Sequence, residues 1–392
     1  MTLVFSDDQE QFRESIQRFL TERMPTTKVR QLMATDHGID EAVWQQASQQ
    51  LALTGIHVPE ALGGAGFGAV ELSIVLEEMG KVLFCGPFFS SAVLSTYALM
   101  LCGNEDQQEQ WLSNIASGEQ RSCLAITERS GLWQHGDMST TASALASGEV
   151  LLNGEKRFVI DGQSADLFIV AAQSEAGIGL FMVDGLTQGM TVQALDTMDP
   201  TRKMAHINFV DVPALPLTSA PNHWLDILLN IACITLSAEM IGGAQRLLDS
   251  AVDYTQLRYQ FGRSIASFQA IKHRLADLLL EVELARSATY QAIETLADCS
   301  NLQNLTQAQQ RRLTEHASLA KAAVSETYLQ AALETIQLHG GIGFTWENDT
   351  HLWFKRAKSS EVLLGTPAEH RERMLVAIEA GLHAQEDAAG VC

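Results

Sequence analysis

Residues 254–277 read YTQLRYQFGRSIASFQAIKHRLAD, and within them Arg258, Gln260, Phe261 and Gly262 interrupt an otherwise helical pattern. Leu248, Val252 and Leu257 precede the interruption; Ile271, Leu275, Leu278 and Leu279 follow it at three- and four-residue spacing. The spacing predicts a helix that breaks at 258–262 and restarts. A fixed cation, an amide and an aromatic ring stand at the break, a set suited to an anionic, planar ligand. Glycine past a helix end also has a purely structural use, since it takes the left-handed conformation there without steric cost. The stretch alone leaves both readings open.

Working outward, the helical period begins after Pro213 and Pro216 and runs to the end, with helices near 223–257, 267–298, 306–338 and 367–385. The polar segment 300–310, SNLQNLTQAQQ, marks a turn between two long antiparallel helices, which points to a four-helix bundle over 217–392. Upstream, from Arg121 to about Val212, the period changes to short alternating or β-branched runs: CLAIT, EVLLNGEKRFVIDG, DLFIVAA, IGLFMVDG, MTVQAL and HINFVDV. With turn signals at Ser147-Gly148 and Asn153-Gly154, this predicts a compact antiparallel β domain over 119–216. Residues 1–118 read as helical. Ser6-Asp7-Asp8-Gln9 fits a capping box ahead of an apolar face made by Phe5, Phe12, Ile16, Phe19 and Leu20. Pro25 ends that helix or begins the next segment, and Val43, Trp44, Ala47 and Leu51 mark another helix that Gly55 stops. The glycines from Gly63 to Gly68 lead into a helix near 69–79; without a following Lys-Ser/Thr or a clear preceding strand, they make a tight loop rather than a phosphate loop. Helices at 94–101 and 106–116 complete the segment. The fold class is α+β, ordered helical, β, helical.

At 392 residues the chain has room for two or three domains, and 46% hydrophobic with 19% charged residues describes a globular protein. A net charge of -21 argues against nucleic-acid or anionic-membrane binding, which need a basic surface. Cys85, Cys102, Cys123, Cys233, Cys299 and Cys392 are scattered without CxxC spacing or a nearby His, which suggests reduced thiols in the cytoplasm and no metal site. The opening MTLVFSDDQEQF is acidic where a signal peptide is basic, and the apolar window near 227–236, interrupted by Asn230, is expected to be too short to span a bilayer.

The three-part order, RYQFGRSIASFQAIKHRLAD, and the later QLHGGIGFTWENDTHLWFKRAK resemble the acyl-CoA dehydrogenase family over nearly the whole chain. The resemblance implies a flavin adenine dinucleotide (FAD) cofactor, a dimer or dimer of dimers, α,β-dehydrogenation of an acyl-CoA thioester, and electron-transfer flavoprotein as acceptor. Carried over by residue, it implies that Arg258, Gln260 and Phe261 reach a cofactor held mainly by a neighbouring subunit, with Phe268 and Gln269 near its adenine side. Gln337, His339, Gly340 and Gly341 match the second cofactor loop, where glycine lets backbone N–H groups approach a pyrophosphate. Leu124, Ile126 and Thr127 match the strand lining the flavin ring, to which Thr127 could donate a hydrogen bond. Two departures stand out. Arg129-Ser130-Gly131-Leu132-Trp133-Gln134 replaces the family's Pro-Gly-x-Gly-Ser-Asp run, and Phe158-Val159-Ile160 replaces its Trp-Ile-Thr. With PTRKMAHINF and LLGTPAEHRERM, these look like the branch acting on bulky acyl-CoAs such as steroid side chains, some members of which work as two unlike subunits.

The chemistry needs a base for the proton α to the thioester, and a carboxylate made less acidic by desolvation suits it. The commonest base position in the family directly precedes a Gly-Thr pair. Here that pair is Gly365-Thr366, and the preceding residue is Leu364. The family's alternative position, on the first bundle helix, aligns to Ala232. Seven residues on stands Glu239, on the same helix face and roughly 10 Å away at 1.5 Å rise per residue. A lone Glu in so apolar a helix is a displaced base, the structural partner of an arginine such as Arg246 or Arg286, or a cap for a neighbouring helix. Three functions follow: a dehydrogenase using Glu239; a flavin-holding or interface-shaping subunit whose unlike partner supplies the Glu; or a flavin-fold protein recruited to nucleic-acid protection, against which the negative charge weighs.

Overall fold

The computed structural model describes residues 4–133, 136, 138–145, 149–185 and 187–389. Gln134, the Ser147-Gly148 turn and Cys392 lie outside them. The chain opens with α1 (Asp7–Arg23), capped as its sequence indicates: Ser6 accepts from the Gln9 N–H while the Gln9 side chain accepts from the Ser6 N–H. Pro25 then starts α2 (Thr26–Met33). After α3 (Glu41–Gln45) come α4 (Ala69–Val82), a π-helical segment (Phe88–Ser95) running into α5 (Thr96–Cys102), and α6 (Glu105–Ala116).

The middle of the chain forms β1 (Ser122–Ala125), β2 (Thr141–Ala144), β3 (Val150–Ile160), β4 (Leu167–Ser174), β5 (Gly177–Asp184), β6 (Met190–Leu195) and β7 (Met204–Pro216). The path β2–β3–β7–β5–β4 returns to β2 through the pair Thr141–Gln173, closing the sheet on itself. The expectation of an antiparallel domain needs one correction: β1 and β2 both pair with β4 in parallel. Alternation reports which face a residue takes and carries no information on strand direction. β4 shows why DLFIVAA reads as a continuous apolar run. Phe168, Val170 and Ala172 point into the core enclosed by the sheet, while Leu167, Ile169 and Ala171 join the larger core shared with the helices.

The bundle comprises α7 (Trp224–Leu257), α8 (Gln269–Ala297), α9 (Gln307–His339) and α11 (Pro367–Ala389), with α10 (Thr350–Val362) packed on α9 and α7. The break in the opening stretch is a hairpin, β8 (Tyr259–Gln260) with β9 (Arg263–Ser264), turned by Phe261 at φ +55° and Gly262 at φ +78°. Two consecutive left-handed residues are what a tight two-residue hairpin requires. The sequence reading did not separate α10, because Arg356 interrupts the stripe of Leu352, Trp353 and Ala357. Nor does length keep α7 out of a membrane, as the short apolar window suggested: the helix has 34 residues, and its apolar stretch is entirely buried in the fold.

The α4–α7 crossing relies on glycine. A Cβ on Gly80 would lie 1.9 Å from the Glu239 carbonyl oxygen, and one on Gly242 would lie 1.9 Å from that of Glu77. Because backbone must move to admit either methyl, Gly80→Ala and Gly242→Ala are each expected to lose about 3 kcal/mol or more, at the upper end for overpacking. The urea midpoint at unchanged m-value measures it.

Candidate active site

Three groups of residues build the site. The first is the part of the sheet expected to face a flavin. Leu124 and Ile126 are buried, and β1 runs on into Thr127 and Glu128. Thr127 is cross-linked to β3: its carbonyl accepts from the Arg157 N–H at 2.9 Å and its hydroxyl donates to the Arg157 carbonyl. In this conformation the hydroxyl proton expected to serve a flavin is engaged by backbone. A register shift between Lys156 and Val159 puts Phe158 at φ +55° and leaves it 43% exposed, while Ile160 is buried. Such a bulge re-aims a side chain out of the strand's alternation.

Glu128 ties residues 139 and 140, just ahead of β2, to β3. Its carboxylate accepts from the Ser139 N–H at 2.8 Å, the Thr140 N–H at 2.9 Å, both hydroxyls, and the fully buried Lys156 ammonium at 2.8 Å. Burial pushes this carboxyl up but is outweighed by Lys156, Ser139 and Thr140, which hold it down at about 2. Burial lowers the Lys156 ammonium to about 8, against the opposing pull of Glu128.

The second group is the pair of loops at the bundle end. Arg258, Gln260, Phe261 and Gln269 are exposed, Phe261 to 90%; Phe268 is half-buried, edge-on to Phe261 at 6.1 Å and beneath the Arg263 guanidinium at 4.1 Å. Gln337 is exposed, whereas the His339 ring turns inward, stacked on Tyr254 at 4.0 Å with Nδ1 2.8 Å from the Thr335 carbonyl. Tyr254 also donates to the His339 carbonyl at 3.3 Å, tying the hairpin's base to the Gly340 turn. A Cβ built on Gly262, Gly340 or Gly341 meets nothing within 4 Å. The structure thus joins the hairpin to the glycine loop, and among the described residues no hydrogen bond links either to β1 or β3. Open glycine backbone, an exposed guanidinium and an exposed ring fit a dinucleotide's pyrophosphate and planar groups.

The third group surrounds the base positions. Leu364, at φ +65°, is 5% exposed and Ala232 is fully buried. The loop at Leu364 is clamped from beneath: Lys321, wholly buried, donates to the carbonyls of Glu361 and Gly365, each at 3.1 Å, and to Ser325 at 2.9 Å. His370 Nε2 lies 3.0 Å from the Leu364 carbonyl, and burial, then Lys321 and Arg373, push its imidazolium down to about 3.

Glu239 is 8% exposed. Its Oε1 accepts from Arg202 Nη2 at 2.5 Å and from Arg356 Nη1 at 2.7 Å, while Arg356 Nε donates to Asp199 at 2.6 Å. The arginine partners named from sequence are corrected: Arg286 pairs with Glu77 at 2.7 Å, and Arg246 lies over the Trp353 ring at 5.9 Å. Sequence reasoning gave no role to Asp199 or Arg202 and used Arg356 only for its spacing within the second motif. The available signal was Arg356, four residues after Leu352 and three after Trp353, hence on the buried face of its helix.

Asp161, next to Ile160, is also buried and accepts from the Ser90 hydroxyl at 2.8 Å. Burial raises its carboxyl to about 7, opposed by Ser90, Arg202 and Arg356. A carboxyl raised on folding retains its proton while the unfolded chain loses it, so stability falls as pH rises from about 4 to 7. Asn stays neutral and tolerates the left-handed conformation at this position, φ +53°. Asp161→Asn is therefore expected to gain at least about 1 kcal/mol over the natural chain at pH 8 and nothing at pH 4, read from urea midpoints at both values.

A helical domain, a closed sheet and a helical bundle, with open glycine backbone beside an exposed guanidinium, suit a flavin-dependent oxidoreductase. Profiles of the acyl-CoA dehydrogenase N-terminal, middle and C-terminal domains match residues 6–119, 123–212 and 226–379. The chain belongs to the acyl-CoA dehydrogenase family, whose members oxidise a CH–CH bond of acyl-CoA thioesters with FAD. Among its relatives is acyl-CoA dehydrogenase IpdE2 of Mycobacterium tuberculosis, 32% identical over 370 residues, which are 94% of this chain and 96% of that one. The structure described as the Tcur3481-Tcur3483 steroid ACAD superposes with a TM-score of 0.84 at 25% identity, covering 96% of this chain and 99% of its own. The ChsE4-ChsE5 complex of Mycobacterium tuberculosis has the same fold, with a TM-score of 0.85 at 23% identity over 97% and 99% of the two chains.

Proposed function

We propose that this chain is the flavin-holding subunit of a heteromeric acyl-CoA dehydrogenase, and that an unlike subunit of the same family supplies the carboxylate base. One observation carries the reading. The family's base positions hold Leu364 and Ala232, and the nearby carboxylate, Glu239, is committed to two buried guanidinium groups. Taking up a substrate proton there would leave both cations short of counter-charge in the interior.

Arg258, Gln260, Phe261, Phe268 and Gln269 on one side, and Gln337 and Gly340-Gly341 on the other, would hold FAD across a subunit interface. Leu124, Ile126, Phe158 and Ile160 would flank its ring. FAD, when bound, accepts the β hydrogen of the thioester. The solved relative described as a steroid ACAD favours a bulky, steroid-like acyl group, the one described as the ChsE4-ChsE5 complex favours a heteromer, here proposed as a heterotetramer, and electron-transfer flavoprotein suits the role of acceptor. The buried free thiols Cys85, Cys102, Cys123, Cys233 and Cys299 fit a cytoplasmic setting.

The test is anaerobic. The chain purified alone with flavin bound is expected to keep its flavin absorbance under acyl-CoAs from short straight chains to steroid thioesters. Bleaching by any of them would make it a self-sufficient dehydrogenase, with Glu239 the first residue to substitute.

A further inference from the structure

A thioester that met a flavin ring beside Ile160 from this chain's own side would need room for its acyl chain between Ile160, helix α7 and the segment 84–89 that follows α4. In this chain that space is occupied. Arg202 and Glu239 meet across it, Arg356 and Asp199 back them, and Asp161 with Ser90 closes the sheet side. All six residues are less than a tenth exposed. The volume left among Phe84, Phe89, Ile160 and this cluster is about 20 Å³. That admits a single water, whereas sites for small organic ligands begin at roughly 300 Å³.

The cluster does not swing aside readily. Arg356 bonds Asp199, Glu239 and the Thr201 hydroxyl, and Arg202 bonds Glu239, lies 3.4 Å from the Ser360 hydroxyl and covers the Phe89 ring at 5.5 Å. Rotating either arginine away would strand buried charge. The partners come from the β6–β7 connection, α7 and α10, so opening the space would also require three elements to part.

We infer that the Arg202–Glu239 pair, backed by Asp199–Arg356, is a plug that closes this chain's own acyl chamber, so that the acyl group of a bound thioester is housed by the partner subunit alone. The inference deepens the reading of the chain as a subunit without a base, and rests on it. It assigns Arg202 and Glu239 as determinants of which subunit takes the substrate.

Calorimetric titration of the full-length chain with CoA and with butyryl-, octanoyl- and dodecanoyl-CoA tests it. The expected result is a set of affinities within about twofold of one another. An affinity rising roughly fourfold per methylene would show the acyl chain entering an apolar chamber and would overturn the plug. The charge-neutral double variant Arg202→Ala/Glu239→Ala, which leaves the Asp199–Arg356 pair intact, is expected to acquire chain-length dependence. The volume-preserving Arg202→Met/Glu239→Leu is expected not to. A folded double alanine variant that stays indifferent to chain length would overturn the proposal as well, and if that variant does not fold, the titration of the natural chain decides. Length-dependent binding without flavin bleaching sinks the plug alone, while bleaching sinks the reading beneath it.

Discussion

Replacing Glu239 by Gln is expected to destabilise the fold by about 3–5 kcal/mol, while turnover per folded molecule of the assembled enzyme stays unchanged. The size follows from what remains: two guanidinium groups, each under a tenth exposed, that share a single counter-charge, Asp199. A catalytic base behaves in the opposite way. Its removal lowers the rate by roughly 10²–10⁴ and often leaves stability untouched or improved. Urea midpoints and steady-state rates of the same preparation therefore separate the two roles. Arg202→Met/Glu239→Leu, which removes both partners at similar volume, should lose much less than Glu239→Gln, because replacing both halves of a buried pair by packed apolar groups is far cheaper than orphaning one.

The second large effect concerns the hairpin. Arg258 is exposed and takes part in none of the ion pairs among the described residues, so its guanidinium is free to meet an anion. Hydrogen bonds to charged groups contribute about 1.5–3 kcal/mol, so Arg258→Ala is expected to weaken FAD binding by roughly 10- to 150-fold, followed by flavin fluorescence as the protein is diluted. The melting temperature of the flavin-free chain should hardly move, since the residue is exposed and makes no ion pair among the described residues. An unchanged flavin affinity would remove Arg258 from the clamp.

Much of this was legible in the sequence where the cause is local. Ser6 and Gln9 sit three residues apart and cap a helix by themselves, and the interruption at 258–262 marks where α7 ends, although the hairpin that fills it was not read from the sequence. What escaped depends on partners distant along the chain. The parallel pairing of β1 with β4 spans the whole of β2 and β3. Glu239 draws its arginines from positions 202 and 356, 37 and 117 residues away along the chain, and from elements other than its own helix, whereas local reasoning offered Arg246 and Arg286. Helical periodicity marks Arg356 as facing inward but cannot say which acid meets it. Thr127 is a similar case: its type suits donation to a flavin, while the register of β3 brings the Arg157 carbonyl to its hydroxyl first.

Exchange at the thioester α-carbon isolates the base from every later step. The chain purified alone, incubated with an acyl-CoA in deuterated buffer and followed by proton NMR, is expected to incorporate no deuterium at that carbon above the buffer rate, with or without Glu239→Gln. Exchange catalysed by the isolated chain and abolished by Glu239→Gln would contradict the account and make Glu239 the base.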